Sequence, residues 1–133
     1  MIPAGLLSFG TFGAPAPDSA LAGLAEALAC AIPDEYASLL RQADGFLLEN
    51  GMKLYAAAEA AERNATFEVA TYAPGYIAVG DDSGGNAFLL GTAGNDTTLY
   101  AVGMGVMDTR YMHALAPSLA VWLQDELASQ GKG

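Results

Sequence analysis

Basic side chains are scarce in this sequence. Five lysines and arginines stand against fifteen aspartates and glutamates, a net charge of −10 over 133 residues. The five are Arg41, Lys53, Arg63, Arg110 and Lys132, scattered with no stripe among them. Nucleic-acid binding requires clustered lysine and arginine to displace counterions, so that class of partner is excluded. An anionic membrane surface is disfavoured on the same ground. Cysteine is nearly absent as well. Cys30 alone forms no intramolecular disulfide, and as a nucleophile it lacks a base, because the single histidine, His113, lies far along the chain. His113 has no H-x-x-x-H partner and no cysteine pair, so no zinc site and no other cofactor is expected. No apolar run approaches the roughly 20 residues of a membrane span. The opening "MIPAGLLSFGTFGAPAP" has neither a basic start nor a long apolar stretch, so a signal peptide is not expected and the cytoplasm is the default location.

What is present suits a single domain spanning residues 1–133, with 1–17 as a loosely attached N-terminal segment. A helix is expected from Asp18, its cap, with Leu21, Leu24, Leu28 and Ile32 at helical spacing and Cys30 as a small buried apolar residue. Pro33 stops it and opens a second helix, whose stripe is Tyr36, Leu39 and Leu40 and which Gly45 ends. Asn50-Gly51 between "FLLEN" and "MKLY" signals a hairpin. "AAAEAAERN" reads as a helix closed by Asn64, and "TFEVATY", alternating by twos, as a strand. Pro74-Gly75 suits a type II turn, with "YIAVG", "AFLLG" and "TTLYAVG" as strands after it and "VMDTRYM" as a further one. A last helix opens at Pro117 and docks Leu119, Trp122, Leu123 and Leu127 on the core. Short strands joined by tight turns favour an antiparallel sheet. The fold class expected is therefore α+β, the sheet flanked by N-terminal helices and a C-terminal helix.

The segment most open to a chemical reading is "GDDSGGN", residues 80–86. It lacks the lysine and hydroxyl of a P-loop, and "AFLL" continues as strand where a dinucleotide fingerprint needs a helix. Asp81, Asp82, Ser83 and Asn86 offer hard oxygen ligands, yet the spacing and closing glutamate of a calcium loop are missing. Aspartate, asparagine and glycine are also what a tight turn demands, so a hairpin joining Tyr76–Gly80 to Ala87–Leu90 is expected, without a metal. Asp34-Glu35 and Asp125-Glu126 read as solvated helix faces, and no serine sits in a G-x-S-x-G elbow.

"IPDEYASLLRQADGF", then Leu54-Tyr55, then "YAPGYIAVGDDSGGNAFLL" resembles the SUKH superfamily. This Smi/Knr-type group includes bacterial immunity proteins and fungal cell-wall regulators. Pro33 and Tyr36 match its helix start, Asp44-Gly45 the helix end, and Leu54-Tyr55 its strand; Ile77, Gly80, Asp81, Gly85 and Asn86 match its hairpin. The resemblance runs from about 18 to 127, with little signal in residues 1–17 or after Tyr100. It implies an α+β fold, no catalytic residues, and a non-catalytic protein-binding module. In that reading an immunity protein neutralises a cognate toxin domain, which the acidity suits if the toxin is basic. The alternatives are an adaptor or regulator that binds a non-toxin host protein, and a small hydrolase using paired acids. Candidate partner-binding residues are Asp81, Asp82 and Asn86 in the central turn, Glu49 and Asp96 near other turns, and Tyr55 or Tyr76 as an aromatic anchor.

Overall fold

The computed structural model describes residues 1–130. Its centre is one seven-stranded sheet in which every strand pairs antiparallel with its neighbour in sequence. The strands are β1 (Gly10–Phe12), β2 (Phe46–Leu48), β3 (Lys53–Leu54), β4 (Tyr76–Asp81), β5 (Asn86–Gly91), β6 (Leu99–Gly103) and β7 (His113–Ala116). Two helices, α1 (Asp18–Leu28) and α2 (Asp34–Gln42), fill the β1–β2 connection; α3 (Ala57–Thr66) and α4 (Val69–Tyr72) fill the β3–β4 connection. A final helix, α5 (Leu119–Gln130), follows β7. The α+β class expected from the strand and turn pattern is the class observed.

Ala87 to Leu90 are all buried, so both faces of β5 are covered and its strand reads as a continuous apolar run. On the Phe88 face, Trp122 of α5 meets the Phe88 ring edge-on at 5.4 Å and stacks on Phe46 of β2 at 5.8 Å. Leu119, Trp122 and Leu123 dock α5 as the spacing implied. At its start, the Glu35 carboxylate of α2 accepts the Leu119 N–H at 2.5 Å, tying the two helices together.

Several local expectations give way to tertiary structure. Residues 1–17 are not loose: Leu6 is fully buried, β1 forms the edge of the sheet, and the Ala16 N–H bonds to Leu40 O at 2.9 Å. Asp18 is the first residue of α1 rather than its cap, and its carboxylate faces Arg41 at 3.4 Å. α1 stops at Leu28, short of Ile32, because Ala29 turns left-handed (φ 54°) and the Cys30 N–H returns to Ala25 O. Cys30 therefore sits beyond the helix and is only half-buried, and Pro33 caps α2 without opening it. "TFEVATY" is not a strand. Glu68 adopts a left-handed conformation (φ 52°) and Val69–Tyr72 form α4. "VMDTRYM" is a loop, where Asp108 accepts the Arg110 N–H at 2.9 Å and closes a single 3-10 turn, Thr109–Tyr111. Glu126 is buried at 7% exposure, not solvated, and its carboxylate accepts from Asn50 Nδ2 at 3.0 Å.

β3 has only two residues, so the lower half of β4 has no strand on that side. Asn64, expected to end a helix, instead lies inside α3 and supplies the missing partner. Its Oδ1 accepts the Ala78 N–H at 2.8 Å, and its Nδ2 donates to Ala78 O at 2.9 Å and to Ala60 O at 2.8 Å. The side chain is 7% exposed, so these are buried bonds. Asn64→Ala leaves both Ala78 groups unpaired in the interior, a loss on the order of 2–4 kcal/mol. Asn64→Asp keeps the acceptor but sets a carboxylate oxygen against two carbonyls, so it should be worse than alanine. Urea denaturation of the two variants checks the order; an aspartate variant as stable as the natural protein contradicts this role.

Candidate functional site

The central turn is held by its own side chains bonding to backbone. Gly80 is the residue that lets β4 reach β3, since a Cβ there would lie 2.1 Å from Lys53 O. Beyond it, Asp81 Oδ1 accepts the Ser83 N–H at 2.9 Å. Asp82 Oδ1 accepts from Gly84 N at 2.7 Å and Asn86 N at 3.0 Å, while its Oδ2 accepts from Asn86 Nδ2 at 2.8 Å. Ser83 is left-handed (φ 60°) and its Oγ donates to Gly51 O at 2.6 Å, joining this turn to the β2–β3 turn. Partial burial pushes the Asp82 pKa up, but the donors on Asn86 and Gly84 outweigh it and hold the carboxyl below the usual range. The segment "GDDSGGN" is thus a hairpin turn, and each aspartate oxygen already has a donor. Among the described residues no group of three or more histidine, cysteine or acidic side chains is placed to hold a metal.

Tyr55 is not a surface anchor. It is fully buried, its hydroxyl donates to Asp81 Oδ2 at 2.7 Å, and its carbonyl accepts from the Tyr36 hydroxyl at 2.6 Å. Burial, then the bond to the Asp81 carboxylate, raises the Tyr55 phenol far above its ordinary value. Burial likewise raises Tyr36, helped by the Asp44 and Glu59 carboxylates. Both stay neutral donors. Asp44 itself accepts the Ala57 N–H at 2.8 Å and so caps α3, while Gly45 beside it (φ 83°) has no room for a Cβ, which would fall 2.6 Å from Ala56 N.

The remaining candidates divide between the ends of the sheet. Exposed Glu49 precedes the β2–β3 turn, at the same end as Asp81, Asp82 and Asn86. Asp96 and Tyr76 lie at the opposite end. There Asp96 accepts from Thr98 N at 3.0 Å and from the Tyr100 hydroxyl at 2.6 Å, and Tyr76 meets the Tyr100 ring edge-on at 5.9 Å. The bonds from Thr98 and Tyr100 hold the Asp96 carboxyl below the usual range. Sequence reasoning missed Val106 and Tyr111, which are 52% and 65% exposed in the β6–β7 loop. It also missed Glu126, although a carboxylate one helical turn past Trp122 on an apolar face was a visible signal.

Charge is distributed in one direction. Arg41, Lys53, Arg63 and Arg110 each lie against a carboxylate, of Asp18, Glu59, Glu62 and Asp108 respectively. Among the described residues no lysine or arginine is left to offset the other acids, and Lys132 lies outside them. Two shallow clefts of about 350 and 290 Å³ flank α2 and α3. The second is bordered by Cys30, whose thiol is raised by burial and is thus a poor nucleophile.

An antiparallel meander carrying two helices in its first connection, two in its third, and one after its last strand defines an α+β domain with a scaffold devoted to its own turns. A family model described as SMI1 / KNR4 family (SUKH-1) matches residues 15–125, and the chain belongs to that family. No curated protein sequence matches it significantly. The residues that carry the family resemblance, among them Tyr36, Asp44, Gly45, Tyr55, Gly80 and Asp81, are the residues that the scaffold itself occupies.

Tyr55→Phe removes one hydroxyl and leaves its volume. Losing a bond to a charged acceptor should cost about 1.5–3 kcal/mol in denaturant unfolding, and a stability indistinguishable from that of the natural protein counts against the Tyr55–Asp81 bond as a stabilising contact. Asp82 gives a pH signature. Its folded pKa is depressed, so its contribution is complete above the unfolded value of about 3.9 and is lost as pH falls through the folded value. Asp82→Ala should therefore show a shallower loss of stability from pH 5 to about 2 than the natural protein; parallel acid limbs contradict the assignment.

Proposed function

We propose that this chain is a non-catalytic protein-binding module of the immunity type, which occupies and neutralises a cognate, basic toxin domain. The observation that carries the reading is electrostatic: in a chain of net charge −10, every described lysine and arginine is already engaged by a carboxylate. Such a surface draws in a basic protein through long-range fields and repels polyanions. Membership of the SMI1 / KNR4 family supports a binding role over catalysis. No helix among the described residues is long and apolar enough to cross a membrane.

The aspartates of the central turn contribute charge and cannot be altered without disturbing the turn, because Asp81 and Asp82 accept its N–H groups. Exposed Glu49 and Asp125 are the cleaner positions for removing charge. The experiment is recovery of the natural partner by tagged pull-down with mass spectrometry, followed by stopped-flow association with the purified pair. The expected partner is a basic toxin domain. Its association should slow about tenfold or more as salt rises through the screening range, with dissociation changing less, and should slow further in Glu49→Gln with Asp125→Asn. Recovery of a non-toxin host protein transfers the reading to an adaptor or regulator, and an association rate indifferent to salt discards the electrostatic model.

A further inference from the structure

Asn50-Gly51 is the one Asn-Gly pair in the chain; Asn64, Asn86 and Asn95 precede alanine or aspartate. Glycine has no side chain to shield its peptide nitrogen, so in such a pair that nitrogen can attack the asparagine amide. The fold nevertheless requires both residues. Gly51 turns with φ 93°, and a Cβ on it would lie 3.2 Å from Asp82 O. Asn50 is exposed, yet its Nδ2 donates to Glu126 Oε2 at 3.0 Å and its Oδ1 accepts the Met52 N–H at 3.2 Å. Glu126 is buried on α5. Among the described residues its carboxylate has this one hydrogen bond and no lysine or arginine beside it.

The closed turn holds the pair unreactive. The Gly51 N–H is occupied by Leu48 O at 3.0 Å, and both ends of the Asn50 amide are bonded. Opening of the turn frees all three groups. The Gly51 nitrogen then bonds to Asn50 Cγ, the Cγ–Nδ2 bond breaks, and ammonia leaves with the proton that the Gly51 nitrogen gives up. Water opens the resulting succinimide at either carbonyl and leaves aspartate or isoaspartate at position 50, with nothing oxidised or reduced. Either product sets a carboxylate where Glu126 had a donor, and two acceptors of like charge repel. Isoaspartate also lengthens the backbone just before Gly51, whose carbonyl accepts from Ser83 Oγ at 2.6 Å, so the tie to the central turn is disturbed as well.

We propose that Asn50 is a modification site, a spontaneous deamidation by water that is gated by the β2–β3 turn and whose product unfastens α5 at Glu126. Asp-Gly forms turns as readily as Asn-Gly, so the loss falls on the contact with Glu126 rather than on the turn itself. The site is independent of what the chain binds.

The full chain is incubated in mildly alkaline buffer, folded and in denaturing urea, and the tryptic peptide of residues 42–53 is followed by mass spectrometry. Reaction through the open turn scales with the open population, so conversion in urea should be about tenfold or more faster than in the folded chain. Glu126→Ala, shown folded by circular dichroism, should convert about threefold or more faster than the natural chain. Asn50→Asp, the product in variant form, should melt about 4 °C or more lower. Adding Glu126→Gln, which returns a donor to face the new carboxylate, should recover most of that loss. Equal rates in the folded chain and in urea, or a rate unmoved by Glu126→Ala, overturn the gating. A peptide that stays unconverted in urea overturns the site. An Asn50→Asp chain as stable as the natural one, or one that Glu126→Gln leaves unrescued, overturns the coupling to α5.

Discussion

The shortness of β3 governs this structure. With two residues, Lys53 and Leu54, it pairs with only the upper end of β4, yet β4 and β5 must be buried on both faces. Unpaired backbone in that interior is costly, and side chains complete what the strand leaves unfinished. Asn64 meets both polar groups of Ala78. Just past the strand, the Tyr55 N–H bonds to Val79 O, its carbonyl takes the Tyr36 hydroxyl, and its own hydroxyl reaches Asp81. α2, α3 and the central turn are thereby fastened to one point on the sheet. The close approach at Gly80 follows from the same contact.

This arrangement explains why residues that look functional in the sequence are structural in the fold. A pair of adjacent aspartates in a glycine-rich loop suggests ligand binding, but here the oxygens are held by Tyr55, Ser83, Gly84 and Asn86. Their negative charge nonetheless remains at the surface, and Asp82 keeps it to lower pH than a free carboxyl would. A scaffold that fixes its carboxylates in place offers a partner a preorganised field, with little side-chain entropy left to lose.

The failures of local reasoning share one cause. "TFEVATY" alternates apolar and polar residues as a strand does, yet Phe67, just past α3, and Val69, in α4, are apolar because they pack on the core. Periodicity over seven residues does not separate the two cases. Asn64 looked like a helix terminator because asparagine usually competes with helical hydrogen bonds. It persists within α3 because a sheet edge, distant in sequence, supplies its partners. Glu126 looked solvated beside Asp125, but Asn50 from the β2–β3 turn lies over it.

The sequence by itself determined the apolar strands, the turns at Asn50-Gly51 and residues 82–85, the docking stripe of α5, and the surplus of acid. Each is written in spacing or composition within a few residues. Tertiary structure alone decided that residues 1–17 supply an edge strand, that Tyr55 is interior, and that Asp96 lies at the far end from Asp81. Burial and adjacency depend on which distant segments pack together, and antiparallel pairing of β5 with β6 is what sets loops separated in sequence side by side.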